Sequence, residues 1–237
     1  MGAPLTNTNN ISVITIDLDD TLWDNKPALE YAEDRLYTWL KQNTPRLVES
    51  FSIADFKTHR KNLADQKPEL RHDMTKQRYA SLLKLAEEKD YDKKLVKKGL
   101  EVFLQARNNV NLYPDVVPVL KQLSTKYELV TVTNGNANIN KVGIDKYFSL
   151  SVSPSDVGTS KPDPAMFEYI TKQMNVMSNM IVHIGDEPKT DILGAQNAGI
   201  RNIWLNRKNM KWPTEHPQPD VEISTLYELI PALETLN

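Results

Sequence analysis

The chain has 237 residues, with 29 Lys and Arg against 31 Asp and Glu, so its formal net charge is −2. Hydrophobic residues make up 40% and charged residues 25%, a composition that is typical of globular proteins and excludes global disorder. The near-zero charge argues against nucleic acid or an anionic membrane as a partner, and the lack of cysteine excludes disulfide scaffolds, thiolate zinc sites and cysteine nucleophiles.

The first ten residues are polar and predict a frayed tail. They lack the basic and apolar parts of a secretory signal, and the chain has no run near the ~18 apolar residues that span a bilayer. We therefore expect a cytoplasmic protein, a monomer or a homodimer, that binds neither membrane nor nucleic acid.

Short apolar runs rich in β-branched residues indicate buried strands. The first of these runs, at the start of the chain, ends at a group of acidic residues. The runs occupy residues 11–17, 128–133, 148–153, 180–184 and 200–205, with a weaker one at 221–223. Helical patterns lie between them at residues 115–127, 163–175 and 190–198. This alternation predicts an α/β fold with a doubly wound, Rossmann-like parallel sheet, which binds ligands at the carboxyl ends of its strands.

One connection is too long for this pattern. About ninety residues without a convincing strand separate the first run from Asn111, and their apolar residues follow helical spacing. We predict an inserted helical bundle, the helical cap, at residues 23–108, and a core domain formed by residues 1–22 and 109–237. Because both ends of the insertion return to the first strand's carboxyl edge, the helical cap should lie over the ligand site.

Acidic residues crowd the end of the first strand. Asp17, Asp19, Asp20 and Asp24 place four carboxylates within eight residues. Such crowding is unfavourable unless a cation binds or a pKa rises, and oxygen ligands with an open octahedral site suit Mg²⁺. Taken alone, the motif is explained equally well by an acidic turn that caps the next helix.

Two later segments carry groups suited to a phosphate. The turn Thr133-Asn134-Gly135 follows the second strand and offers a hydroxyl and backbone N–H groups, although an ordinary strand-ending turn has the same sequence. Lys161 lies in a loop stiffened by prolines and would balance phosphoryl charge; alternatively, it is a solvated surface side chain.

A third segment follows the run at 180–184. Asp186 would be a second metal carboxylate, and Asp191 would either pair with Lys161 or cap the next helix. Each segment alone is a weak signal, but their order on successive strands favours one functional site.

These residues match, in order and strand context, the four motifs of the haloacid dehalogenase-like hydrolases, which the chain resembles over its whole length. The motifs are Asp17-x-Asp19-x-Thr21-Leu22, Thr133, Lys161 and Gly185-Asp186-x4-Asp191. The insertion resembles the cap of a subgroup that contains phosphoglycolate, sugar-phosphate, nucleotide and flavin mononucleotide phosphatases. The runs DLDDTLWDN and HIGDEPKTD look most like bacterial flavin mononucleotide or pyrimidine-nucleotide phosphatases.

The resemblance implies a Mg²⁺-dependent phosphatase that hydrolyses a small phosphomonoester through an aspartyl-phosphate. Asp17 would be the nucleophile and Asp19 the general acid and base. Mg²⁺ would be held by Asp17, the carbonyl of Asp19, and Asp186. The substrate-binding residues would be Thr133, Asn134, Gly135 and Lys161, of which Lys161 is also catalytic, with Asp191 in support. Dehalogenases of the family lack the second acid, so Asp19 indicates phosphate esters.

Two alternatives remain open. A phosphomutase would use Asp17 and Asp19 in the same way and return the phosphoryl group to the substrate. A non-enzymatic phospho-aspartate receiver also combines acids, a Thr and a Lys on a parallel sheet, but its acceptor lies on a different strand from its acidic pair.

Other candidate residues have simpler explanations. His183 lies inside an apolar strand, where a hydrogen-bonded core histidine is the favoured interpretation over a catalytic one. Trp23, Arg78 and Tyr79 are candidates to stack on or bind a substrate base, although residues at helical spacing usually pack within the protein. Trp204 and Trp212 are expected to pack the terminal edge.

Overall fold

A computed structural model describes residues 11–236, so the expected polar tail at 1–10 lies outside the described residues. Six strands form one sheet in the order β3-β2-β1-β4-β5-β6, and every neighbouring pair is parallel. The strands are β1 Val13–Ile16, β2 Glu128–Val132, β3 Leu150–Val152, β4 Ile181–Gly185, β5 Arg201–Leu205 and β6 Val221–Ile223. The predicted parallel sheet is confirmed.

Helices connect these strands and form the insertion. The α-helices are α1 Asn25–Asn43, α2 Pro45–Ser50, α3 Ile53–Gln66, α4 Met74–Glu87, α5 Lys93–Arg107, α6 Val116–Leu123, α7 Ile139–Val142, α8 Pro154–Val157, α9 Ala165–Met174, α10 Leu193–Asn197 and α11 Leu229–Leu236. Shorter 3₁₀ helices are Pro68–Leu70, Asp145–Tyr147, Ser178–Met180 and Leu226–Glu228, and Pro188–Ile192 is a π-helix. None of the helices in the described part of the chain combines the length and apolarity needed to cross a membrane.

The sheet is covered on both faces because β1 sends alternate side chains to opposite sides. Ile14 and Ile16 join a hydrophobic cluster that includes residues of α6 and α11. Val13 joins a second cluster with residues of α9 and α10. All four residues of β1 are buried, which explains why its sequence is uniformly apolar or β-branched.

The helices α1 to α5 pack on one another around a separate hydrophobic cluster. Phe103 of α5 is fully buried there, and the guanidinium of Arg78 lies 3.4 Å from the centre of its ring. Arg78 is itself buried and donates to Glu33 of α1 at 2.9 and 3.1 Å. Arg78 and the partly buried Tyr79 therefore pack within the helical cap, as the simpler interpretation of their helical spacing predicts.

Polar contacts tie the helical cap to the loops at the carboxyl edge of the sheet. His72 Nδ1 lies 2.8 Å from Ser160 Oγ, and Asn136 Nδ2 donates to Thr75 Oγ1 at 3.1 Å. The start of α4 therefore lies beside the loops that follow β2 and β3, which is the side of the sheet where a ligand is expected.

Candidate active site

A tight loop after β1 places the two acids of the first motif. Asp20 adopts a left-handed conformation with φ 63°, and its N–H donates to the carbonyl of Trp23 at 2.8 Å. Upstream, the Asp17 N–H donates to the Ile184 carbonyl at 2.9 Å and extends the sheet pairing by one residue. The loop thus holds both Asp17 and Asp19 at the strand's carboxyl end, next to β4.

All eight predicted site residues line one small cavity of about 170 Å³ at this edge. They are Asp17, Asp19, Thr133, Asn134, Gly135, Lys161, Asp186 and Asp191, and the cavity is also lined by Asp20, Glu187 and Thr190. The cavity lies between β1 and β4, where the strand order reverses direction, which is the usual ligand position in open α/β sheets.

Lys161 is a fixed, buried cation. Its Nζ donates to Asp17 Oδ1 and Asp191 Oδ1 at 2.6 Å each and to the Val132 carbonyl at 2.7 Å, which occupies all its protons. Burial disfavours the charge, but Asp17 and Asp191 outweigh it and raise the pKa of Lys161. The Asn134 side chain exchanges two hydrogen bonds of 2.8 Å with the Lys161 backbone, so Asn134 positions the loop that carries the cation.

The carboxylates carry more negative charge than Lys161 neutralises. Burial raises the pKa of Asp17 well above its ordinary value despite Lys161, and Asp191 and Asp186 add to the rise. Burial, followed by the charges of Asp191 and Asp20, raises the pKa of Asp186 to about 7. Burial would also raise the pKa of Asp191, but Lys161 reverses this and holds the pKa below its usual range. Asp17 and Asp186 are therefore the groups short of a cation.

The arrangement of these oxygens fits a hard metal ion. One carboxylate oxygen each from Asp17, Asp186 and Asp191 lies within 4.8 Å of the others. Asp191 is already engaged, because Oδ1 accepts from Lys161 and Oδ2 accepts from the Glu187 N–H at 3.0 Å. Within the described part of the chain, Asp17 and Asp186 each have only Oδ1 engaged, by Lys161 and Thr21 respectively, so the second oxygen of each remains for a metal. Oxygen donors with incomplete charge compensation suit Mg²⁺.

Two neighbours hold Asp186 in place, Thr21 of the first motif and Trp204, which lies outside the motifs. Thr21 Oγ1 donates to Asp186 Oδ1 at 3.2 Å, and Trp204 Nε1 donates to the main-chain carbonyl of Asp186 at 2.7 Å. Trp204 also packs edge-on against Trp212, with ring centres 4.9 Å apart. The indole therefore supports the site as well as packing the end of the sheet.

Two glycines are required by close approach of the acids. A Cβ on Gly185 would lie 2.3 Å from Asp191 Cγ, and a Cβ on Gly135 would lie 2.5 Å from Asp19 Oδ2. The Gly135 N–H also donates to Thr133 Oγ1 at 2.9 Å. The lack of a side chain at these positions lets the acids lie against the backbone.

Sequence reasoning missed the residues that hold Asp19. Arg107, at the end of α5, donates to both carboxylate oxygens of Asp19, at 2.5 and 2.6 Å. Trp23 Nε1 donates to Asp19 Oδ1 at 2.9 Å, and the fully buried indole cannot stack on a substrate base as hypothesised from the sequence. The only available signal for Arg107 was its position directly before the chain returns to the core.

His183 is a core histidine. It is fully buried in β4, and its Nδ1 lies 3.0 Å from Thr15 Oγ1. Its ring packs edge-on against Phe167, with centres 4.9 Å apart. Burial lowers the pKa of His183, which favours the neutral ring. The sequence interpretation of a hydrogen-bonded core residue is confirmed.

Comparisons with known proteins identify the family. A family model described as haloacid dehalogenase-like hydrolase matches residues 11–199. The chain is 31% identical to the 5-amino-6-(5-phospho-D-ribitylamino)uracil phosphatase YigB of Escherichia coli (strain K12), covering 92% of this chain and 94% of that protein. It is 26% identical to a glyceraldehyde 3-phosphate phosphatase of Methanopyrus kandleri, covering 95% and 98%.

Among solved structures, the chain is similar to a 2-haloacid dehalogenase from Pseudomonas syringae pv. Tomato DC3000. The TM-score is 0.91 at 36% identity, and the match covers 96% of this chain and 100% of that one. The chain therefore belongs to the haloacid dehalogenase-like hydrolases, and the resemblance stated from its motifs is confirmed.

Proposed function

We propose that this chain is a magnesium-dependent phosphatase that hydrolyses a small phosphomonoester through an aspartyl-phosphate at Asp17. The observation that carries the proposal is the shared cavity, in which Asp17 and Asp19 face Thr133, Lys161 and Asp186. A nucleophile, a second acid, a fixed cation and a hydroxyl are the groups that phosphoryl transfer requires.

The reaction has two steps. A carboxylate oxygen of Asp17 attacks phosphorus, the ester P–O bond breaks, and the proton of Asp19 goes to the leaving alkoxide. Water then attacks the phosphorus of the aspartyl-phosphate, Asp19 takes the water proton, and the bond to Asp17 breaks to release inorganic phosphate. The hydroxyl of Thr133 binds a transferring oxygen throughout, and Lys161, whose three protons are engaged, balances phosphoryl charge from its place beside Asp17.

Asp17, Asp186 and the main-chain carbonyl of Asp19 would hold Mg²⁺, which supplies positive charge between the nucleophile and the phosphate when bound. The raised pKa values of Asp17 and Asp186 support this assignment, because Asp17 shares Lys161 with Asp191 and Asp186 forms no ion pair among the described residues. Asp191 is not one of the proposed metal ligands. It supports the site through its ion pair of 2.6 Å with Lys161.

A small metabolite is the substrate class that the relatives favour. By name, they act on a phosphorylated ribitylaminouracil and on glyceraldehyde 3-phosphate. A larger cavity of about 760 Å³ shares Thr133 and Gly135 with the catalytic cavity and reaches residues 72–76 of the helical cap, which gives room for a leaving group. Nucleotides, flavin mononucleotide and sugar phosphates are the candidates. A cytoplasmic location and a monomeric or homodimeric state remain predictions from the sequence.

A dehalogenase is the second candidate, because the similar Pseudomonas structure is named as one. In that reaction a carboxylate displaces halide, which leaves as a stable anion and needs no proton. Asp19 would then have no chemical task, yet it is held by two buried donors, Arg107 and Trp23. This arrangement favours the phosphatase.

A substrate panel tests the proposal. Phosphorylated metabolites, including flavin mononucleotide and nucleoside monophosphates, are assayed for inorganic phosphate with and without Mg²⁺, and 2-chloropropionate is assayed for chloride. We expect Mg²⁺-dependent phosphate release that Asp17→Asn abolishes. Chloride release without ester hydrolysis would establish the dehalogenase, and an isomerised phosphate ester without inorganic phosphate would establish the phosphomutase. A phosphorylated protein that lasts for minutes and turns over no ester would indicate the receiver.

A further inference from the structure

Arg107, at the far end of the helical cap from Trp23, contacts the proposed general acid Asp19. Arg107 lies 88 residues from Asp19 in the chain, yet its Nη2 donates to Asp19 Oδ1 at 2.5 Å and to Oδ2 at 2.6 Å. The Arg107 side chain is only 2% exposed, and that of Asp19 is 17% exposed. The Arg107 Nη1 is buried and has no hydrogen-bond partner among the residues that the structure describes.

The contact fixes the orientation of the Asp19 carboxylate. Oδ1 accepts from both Arg107 and Trp23, and Oδ2 accepts from Arg107 on the side where Gly135 provides space. Rotation of the carboxylate would break these charge-assisted bonds, so one orientation is strongly preferred.

The attachment of the helical cap to the core does not depend on this contact alone. His72 pairs with Ser160 and Thr75 with Asn136 across the same boundary. Another buried arginine of the helical cap, Arg78, pairs inside the cap with Glu33. Arg107 differs because its partner is the carboxylate that must transfer a proton.

We infer that Arg107 is a positioning residue that orients the Asp19 carboxylate toward the leaving-group oxygen and so makes proton transfer depend on how the helical cap sits on the core. The inference rests on the proposed phosphatase function. When Asp19 gives its proton to the alkoxide and the ester P–O bond breaks, Asp19 is left as a carboxylate.

The inference predicts a selective defect. An alkyl phosphate has a basic leaving group and needs the proton, whereas 4-nitrophenyl phosphate expels a stable phenolate and needs it little. Replacing Arg107 should therefore slow the alkyl ester much more than the aryl ester. A role limited to folding would slow both equally, because each molecule of folded protein would act normally.

The experiment compares kcat and KM for glycerol 2-phosphate and 4-nitrophenyl phosphate in the full chain with Mg²⁺. For Arg107→Met we expect kcat to fall about 100-fold with the alkyl ester but less than about 5-fold with the aryl ester. Arg107→Lys, which keeps the cation without the planar fork, should show the same selectivity to a smaller degree. Arg78→Met is the matched control, since it removes a buried arginine of the helical cap that does not touch Asp19, and should leave the ratio of the two rates unchanged.

A double variant completes the test. In an Asp19→Asn background, Arg107→Met should reduce the alkyl-ester rate less than about 3-fold further, because the two residues act as a unit. Equal losses with both esters in Arg107→Met, or in Arg107→Lys if the Met variant does not fold, would overturn the inference, as would fully additive losses in the double variant. If the unmodified protein releases phosphate from neither ester and from no ester of the substrate panel, the proposed function is refuted instead.

Discussion

Lys161→Met should destabilise the protein strongly, because it removes the cation that two buried carboxylates share. The Lys161 side chain is 1% exposed, and those of Asp17 and Asp191 are 9% and 2% exposed. Removing one partner of a buried ion pair costs about 3–5 kcal/mol, since the remaining charge stays buried without compensation. We expect the free energy of unfolding to fall by about 3 kcal/mol, at the lower end of this range, because Asp17 already has a raised pKa and can take up a proton.

The loss should depend on pH. In the unmodified protein the pKa of Asp191 is lowered, so its pairing stabilises the fold above the ordinary carboxyl pKa and is lost as the pH falls through the lowered value. In the variant, Asp17 and Asp191 lack the cation and their pKa values rise, so both take up protons in the native state as the pH falls. The loss of stability caused by Lys161→Met therefore becomes smaller in acid. The difference in stability should therefore narrow between about pH 7.5 and about pH 5.

Urea unfolding without added metal, at both pH values, measures this difference. Lys208→Met is the matched control, because Lys208 pairs with Asp20 at 3.1 Å but its side chain is 59% exposed. Loss of such a surface pair costs about 0–1 kcal/mol. A Lys161→Met protein as stable as the control near neutral pH, or a difference that widens in acid, would refute the reasoning.

Three further changes test other parts of the account. Gly135→Ala places a Cβ 2.5 Å from Asp19 Oδ2, so steady-state kinetics should show kcat lowered about tenfold or more with little change in the thermal midpoint; normal kcat would contradict the close approach. Phe103→Ala empties a fully buried position in the helical cap and should reduce the free energy of unfolding by about 4 kcal/mol in urea titrations, and a loss below about 1 kcal/mol would count against that packing. Chelation should remove phosphatase activity and added Mg²⁺ should restore it, whereas full activity in the chelator would exclude a metal requirement.

The sheet and the main site residues were predictable because each follows a strong local pattern. Apolar runs that end in Asp17 and Asp186 indicate strands β1 and β4, and parallel strands bring such ends to one edge. The boundaries were less accurate. The predicted strand at 148–153 is only Leu150–Val152, because this edge strand pairs with β2 alone and follows the 3₁₀ turn Asp145–Tyr147.

The segment that leads from β4 into α10 does not begin with an Asp191 N-cap, one of the two roles that the sequence left open. The sequence left Asp191 as either an N-cap or a partner of Lys161, and the structure shows the ion pair. Asp191 lies inside the π-helix Pro188–Ile192, whose wide turn also brings its Oδ2 to the Glu187 N–H. Two specific bonds thus set the local backbone, which no propensity at this position indicates.

The supporting residues were not predictable because they act through tertiary contacts. Arg107 contacts Asp19 only when the helical cap packs on the core. The side-chain amide of Asn134 donates to the Lys161 carbonyl, 27 residues further along the chain. Trp23 adjoins the first motif, but the sequence did not show whether its ring faced a ligand or the core. Orientation of such side chains depends on packing between elements distant in the chain.

Trapping of the phosphorylated protein tests the central claim most directly. The protein is mixed with Mg²⁺ and an intact ester that it hydrolyses, and the reaction is quenched within milliseconds. Borohydride then converts any aspartyl-phosphate to homoserine, and the protein is digested for mass spectrometry. We predict homoserine at position 17, and none in samples without ester or in Asp17→Asn. Ester turnover with an unmodified Asp17 in the quenched protein, or with full activity retained in Asp17→Asn, would contradict the account.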